Sequence, residues 1–135
     1  MLDYYGRIVV IDSPGEGDDR ELDAIGKWLV GRLETLKPGP DLLDVRWVDG
    51  TQFLTFSGQR DPRDTYFDDL LRVIQELAAR APGSYGTIHY HDDDPDHPFT
   101  NEFRVIALAR GRLVEHPDPF LSPVIPTIED PVEID

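Results

Sequence analysis

The segment LDVRWVDGTQFLTF, residues 43–56, contains the clearest fold signal in the chain. Its central pair, Asp49-Gly50, is typical of a two-residue type I′ turn between antiparallel strands. The pairs that such a turn predicts are Val48 with Thr51, Val45 with Leu54, Asp44 with Thr55 and Leu43 with Phe56. Because side chains alternate along a strand, the apolar pairs Val45–Leu54 and Leu43–Phe56 share one face, and the pair Asp44–Thr55 lies on the other. The turn and the pattern therefore both predict a hairpin over residues 42–57.

Helical patterns lie on both sides of this hairpin. The first begins with an N-cap at Asp18 or Asp19 and ends at residues 37–40, KPGP. Its apolar residues recur at helical spacing: Leu22, Ile25, Trp28, Leu29, Leu33 and Leu36. The second begins at Asp61-Pro62, an N-cap followed by a proline at the first helical position, and ends at residues 81–83. Its apolar stripe is Phe67, Leu70, Leu71, Ile74, Leu77 and Ala78.

Four further segments have the composition of strands: residues 4–11, 85–91, 103–109 and 113–116. The last two are joined across Arg110-Gly111. The resulting order, β-α-β-β-α-β-β-β, predicts an α+β fold with one mainly antiparallel sheet and two helices on one face. A chain of 135 residues with 39% apolar content fits a single domain over residues 1–135.

The final segment, residues 117–135, contains five of the twelve prolines of the chain. This density excludes a regular helix or a central strand there. Its apolar residues, among them Phe120 and Ile128, are too many for a segment without packing contacts. We therefore expect an extended, proline-rich strap over the domain, with direct contact to a partner as the alternative.

Charge is the strongest global constraint on function. The chain has 27 acidic and 13 basic residues, and its formal net charge is −14. Such a molecule repels phosphate backbones and anionic membranes, so we expect a basic protein partner and no direct binding of nucleic acid or membrane. The absence of cysteine and of a signal-like N-terminus agrees with a cytoplasmic protein.

The segment HYHDDDPDH, residues 89–97, has the ligand types of a metal site. Three consecutive aspartates cannot all point at one ion, so we expect a solvated or partner-facing loop, with no metal and no cofactor. His89 and His91 share one strand face, and Ile88 and Tyr90 lie on the other. No serine lies in a nucleophile motif. We therefore expect no catalytic residues and no enzymatic activity.

Two adjoining stretches, NEFRVIALARGRLVEH and PDPFLSPVIPTIED, residues 101–130, resemble immunity protein family seven of bacterial polymorphic toxin systems. The Tyr4-Tyr5-Gly6 start, the Tyr85-Gly86 strand opening and the aspartate-rich turn extend the resemblance through the chain. Arg7 departs from the pattern, in which an aromatic residue tends to follow the first glycine. The resemblance implies a small cytoplasmic protein, encoded beside a secreted toxin, that neutralises this toxin by stoichiometric binding.

These observations lead to a hypothesis for the contact surface. It combines acidic residues that steer a basic toxin, such as a nuclease, with an aromatic anchor at Phe120. The predicted partner-binding residues are Asp92, Asp93, Asp94, Asp96, Glu102, Asp118, Phe120, Glu129 and Asp130. Two alternatives stay open at this point: a small acidic adaptor domain, and a metal-dependent enzyme that uses the segment from His89 to His97.

Overall fold

The computed structural model describes residues 1–12, 19–36 and 41–121. Its elements are β1 (Leu2–Val10), α1 (Asp19–Leu33), β2 (Leu42–Val48), β3 (Thr51–Arg60), α2 (Tyr66–Arg80), β4 (Tyr85–Asp92), β5 (Phe103–Ala109) and β6 (Arg112–Pro117). This order confirms the predicted α+β fold with its eight elements. No helix in the described part of the chain is both long and apolar enough to cross a membrane.

The six strands form one antiparallel sheet in the order β2-β3-β1-β4-β5-β6. The predicted register of the first hairpin is confirmed, with Val48 opposite Thr51 and Leu43 opposite Phe56. Asp49 and Gly50 have φ angles of 50° and 79°, as a type I′ turn requires. The β5–β6 hairpin turns in the same way across Arg110 and Gly111, with φ angles of 53° and 74°.

The core lies on one face of this sheet, beneath both helices. Alternate strand residues such as Ile8, Leu54 and Ile88 are fully buried there, and they pack against Leu29 of α1 and Ile74 of α2. The apolar stripes predicted for the helices are therefore the faces that they bury. On the opposite face of the sheet, which we call the open face, no described helix or strand covers the side chains.

The second helix begins four residues later than predicted. The sequence signal Asp61-Pro62 lies in a turn instead, because β3 continues to Arg60, which pairs with Leu2 of β1. The Asp61 carboxylate accepts the Arg63 N–H at 2.9 Å and closes this turn. α2 starts at Tyr66, whose N–H is accepted by the Asp64 carboxylate at 2.8 Å. An aspartate thus still supplies the helix start, but from a later position.

The ends of the other predicted segments differ in detail. α1 ends at Leu33, and tight-turn hydrogen bonds carry the chain to Leu36. The alternative N-cap at Asp18 and the predicted stop at residues 37–40 lie outside the described residues. The predicted strap is described only as far as Leu121, so the position of its remainder stays a prediction.

Candidate functional site

Strand pairing brings three connections to the same end of the sheet. Leu2, at the start of β1, pairs with Arg60 at the end of β3 and with Asp92 at the end of β4. On the far side of β4, Arg104 near the start of β5 pairs with Pro117 at the end of β6. The connections that leave β3, β4 and β6 therefore emerge side by side around the N-terminus of the chain.

Seven aspartates gather at this end of the sheet, which we call the acidic end. They are Asp61, Asp64, Asp68, Asp92, Asp93, Asp94 and Asp96. The connection from β3 to α2 and the connection from β4 to β5 face each other across an open cleft of about 570 Å³. Asp61 and Arg63 line one side of this cleft, and Asp94 and Asp96 line the other. The acidic surface predicted from residues 92–96 is thereby joined to a second acidic segment.

Sequence reasoning missed this second segment, residues 61–68. In the sequence, Asp61 and Asp64 have the ordinary appearance of turn and capping residues, and they lie about thirty positions from Asp92. The sheet register places them beside it. Only the pairing of β1 with both β3 and β4 could have indicated this, and a single sequence does not reveal that pairing.

The charges of the acidic end are partly balanced. The N-terminal ammonium group of Met1 bonds to Asp93, and Arg63 lies 3.0 Å from Asp61. Hydrogen bonds from the Arg63 side chain and backbone lower the pKa of Asp61 to about 2. The hydrogen bond from the ammonium group likewise lowers the pKa of Asp93. Both carboxylates are therefore charged at neutral pH, and the acidic end keeps its negative field.

Two of the predicted contact residues are buried. Asp92 and Asp118 are 6% and 7% exposed. Each accepts the backbone N–H of the second residue after it, from Asp94 at 2.8 Å and from Phe120 at 2.9 Å. These two carboxylates thus build the turns that present their neighbours, and their contact with a partner stays a prediction.

The exposure of the other predicted residues varies. Asp93 and Asp96 are exposed, and Phe120 is 91% exposed, which is extreme for a phenylalanine. Glu129 and Asp130 lie outside the described residues. Glu102 is half-buried and turned toward the protein, because its carboxylate accepts a hydrogen bond of 2.7 Å from the Arg104 guanidinium.

Arg104 organises a polar cluster next to the acidic end. Its side chain is 7% exposed, and the guanidinium also donates to Glu115 at 3.0 Å while stacking over the Phe99 ring at 3.7 Å. Burial, together with the nearby Glu115 carboxylate, raises the pKa of Tyr90. This cluster fixes the loop after β4 onto the sheet, so that its aspartates are presented from a supported backbone.

The histidines of the segment 89–97 are divided between two surfaces. His89 and His91 lie on the open face, stacked on Tyr5 at 4.7 Å and on Phe103 at 4.4 Å. His97 lies on the helix side, 6.0 Å from the Tyr90 ring. In the part of the chain that the structure describes, no group of three or more His, Cys, Asp or Glu side chains is placed to hold a metal ion.

A buried hydrogen-bond network adjoins the acidic end at Arg60, the last residue of β3. The Asp41 carboxylate, 3% exposed, accepts hydrogen bonds from the Tyr4 hydroxyl and, at 2.8 Å, from Arg60 Nε. Burial and the hydrogen bond to Asp41 raise the pKa of Tyr4. Arg60 also lies 3.8 Å from the Tyr66 ring. This network ties β1, β3 and the start of α2 together.

Arg7, the departure from the family pattern, lies on the open face. Its guanidinium is 4.8 Å from the centre of the Phe53 ring. At this position, a cation packs against an aromatic ring of the neighbouring strand.

Comparison with known proteins identifies a family. No curated protein and no solved structure matches the chain. The family model described as Immunity protein 7 matches residues 1–130, nearly the whole chain. Because this match spans nearly all of a chain with the expected α+β fold, the chain belongs to the Immunity protein 7 family.

Proposed function

We propose that this protein binds a cognate toxin domain and neutralises it by stoichiometric contact, without catalysing a reaction, in the cytoplasm of the cell that makes both. Membership of an immunity protein family supports the general role. The observation that carries the specific proposal is the acidic end, where seven aspartates from the connections after β3 and β4, the end of β4 and the start of α2 lie together. This surface includes the predicted residues Asp93, Asp94 and Asp96.

The proposed partner is a basic toxin domain. A toxin that acts on nucleic acid needs cationic residues to bind phosphate groups, and a net charge of −14 attracts such a surface over a distance of several ångströms. Electrostatic attraction raises the rate of encounter more than it raises affinity. Rapid capture is useful here, because each free toxin molecule can damage the cell that produced it.

The first experiment is a co-expression rescue. The toxin domain encoded by the neighbouring gene is expressed alone and together with this protein, and cell survival and copurification are measured. We expect survival only on co-expression, with a one-to-one complex in the purified material. Continued toxicity with both proteins soluble would contradict the proposed function.

The second experiment tests the contact surface with matched charge changes. One variant combines Asp93→Asn with Asp96→Asn at the acidic end, and the control combines Asp23→Asn with Asp49→Asn. Each removes two exposed charges, one from an ion pair and one without a pair in the described part of the chain. We expect the first variant to reduce the association rate about three- to tenfold at low salt and the control to leave it nearly unchanged. Equal effects would move the interface away from the acidic end.

A further inference from the structure

A second, narrower cleft of about 340 Å³ lies at the acidic end, between the loop that follows β4 and the first turns of α2. Phe67 and Leu71 of α2 line one side, and Pro98 and Phe99 of the loop line the other. This volume is at the lower end of the range for ligand pockets. The cleft therefore suits one long side chain better than a larger ligand.

The polar lining of this cleft is acidic. Its carboxylates belong to Asp64, Asp68, Asp92 and Glu115, and no lysine or arginine of the described residues lines it. Asp64 and Glu115 are each paired with an arginine outside the cleft. Asp68 is exposed and has no ion pair within the described ranges. The cleft thus combines apolar walls with negative charge that no lysine or arginine of its own lining compensates, and the Met1 ammonium group interacts with Asp92 from outside the lining.

Asp92 is the group whose environment points to a ligand. It is 6% exposed and lines the cleft. Its Oδ1 accepts the Asp94 N–H, whereas its Oδ2 has no hydrogen-bond donor among the described residues. His97, which also lines the cleft, accepts the Phe99 N–H at Nδ1 with a distance of 3.0 Å. A buried carboxylate is costly unless a cation compensates it, so a cation in this cleft would be stabilised.

We infer that the cleft receives an arginine side chain of the cognate toxin, an inference that rests on the proposed function. The aliphatic stem packs between Leu71 and Phe99, and the guanidinium donates hydrogen bonds to Asp92 Oδ2 and to Asp68. Arginine fits better than lysine because its planar head carries several donors and can bond two carboxylates at once. The acidic end then attracts the toxin, and the cleft holds it.

The test separates dissociation from association. The toxin domain encoded by the neighbouring gene is bound to the wild-type protein and to Asp92→Asn, whose side-chain oxygen can still accept the Asp94 N–H. We expect the dissociation rate to rise at least about tenfold while the association rate stays within about twofold, since buried charge pairs act mainly on dissociation. Each arginine of the toxin is then replaced by methionine. One replacement should abolish the difference between wild type and Asp92→Asn, as coupled partners do in a double-mutant cycle.

Control variants distinguish a failure of this inference from a failure of the proposed function. Asp44→Asn, on the edge strand β2 away from the cleft, should leave both rates unchanged. Asp68→Asn, at an exposed position, is measured alongside Asp92→Asn with the same expected direction, and it carries the test alone if Asp92→Asn lowers the melting temperature. A complex whose dissociation rate is unchanged in both cleft variants, or that couples to no toxin arginine, would overturn the inference and leave the proposed function intact. Absence of any complex with the wild-type protein would overturn both.

Discussion

At the scale of single residues, Asp41 and Arg60 form an ion pair that is costly to break. Their side chains are 3% and 11% exposed. We expect Asp41→Asn to lower the free energy of unfolding by up to about 3 kcal/mol, because the buried Arg60 charge would lose its closer and more buried carboxylate and keep only Asp64, at 3.3 Å. Chemical denaturation measures this change.

The matched control for this prediction is Asp44→Asn. Asp44 also pairs with an arginine, Arg46, but the two side chains are 41% and 70% exposed. Exposed pairs contribute less than about 1 kcal/mol, so the control should change stability little. Similar losses in the two variants would contradict the role assigned to the buried network.

Gly86 is required by the close approach of two strands. A Cβ atom at this position would lie 2.1 Å from the backbone oxygen of Arg7 and 2.9 Å from Ile8 Cα. Since these neighbours are backbone atoms that cannot rotate away, we expect Gly86→Ala to lower the free energy of unfolding by about 2 kcal/mol or more. Urea denaturation measures it.

Gly31 provides the opposite case in the same protein. It lies in α1, and nothing is within 4 Å of the position that a Cβ atom would take. Gly31→Ala should therefore raise stability by about 0.5–1 kcal/mol through helix propensity alone. A loss of stability in Gly31→Ala would contradict the expected gain in helix propensity. An unchanged stability in Gly86→Ala would show that the close approach of the two strands does not require glycine at this position.

At the scale of elements, one ion pair joins the two helices. Arg32 of α1 donates to Glu76 of α2 at 2.8 Å and 2.9 Å, in a bidentate arrangement. The hydrogen bonds from Arg32 lower the pKa of Glu76 below its ordinary value of 4.5. A carboxylate with a lowered pKa contributes stability above its unfolded pKa and loses this contribution as pH falls through the folded value.

The pH dependence of Glu76→Gln tests this ion pair. We expect its melting temperature to lie below that of the wild type at neutral pH, and the difference to shrink as pH falls below 4.5 toward the lowered pKa. Thermal unfolding across this pH range gives the difference directly. As a control, Asp23→Asn removes a more exposed pair within α1 and should have a smaller effect. A difference between wild type and Glu76→Gln that grows on acidification would contradict the assignment.

The elements also show why local sequence signals succeeded or failed. The hairpin of Asp49-Gly50 was predicted with its register, because turn chemistry and side-chain alternation act within a few residues. The start of α2 was misplaced because Asp61-Pro62 has the same local preference in a turn as in a helix cap. The pairing of Arg60 with Leu2, almost sixty residues earlier, decided between the two.

At the scale of the whole molecule, like charges repel one another. A net charge of −14 destabilises the compact state, and dissolved ions screen this repulsion over about 10 Å at moderate salt. We therefore expect the melting temperature to rise when sodium chloride is added to a low-salt buffer. Scanning calorimetry at several salt concentrations measures the slope.

A less acidic variant serves as the control for this slope. Asp49→Asn combined with Asp96→Asn removes two exposed acids and should make the melting temperature less dependent on salt. A melting temperature that falls with added salt would mean that the ion pairs of the folded state outweigh the repulsion. The low-salt condition would then be the more stable one.

Much of this protein could be read from local patterns in the chain. The order of the elements, the apolar faces of both helices and the register of the first hairpin follow from interactions between residues close in sequence. The acidic character of the molecule follows from composition. The acidic end itself does not, because residues 61–68 become neighbours of Asp93 and Asp96 only when β1 pairs with both β3 and β4. Likewise, the burial of Asp92 and Asp118 depends on packing between distant segments, which no local pattern records.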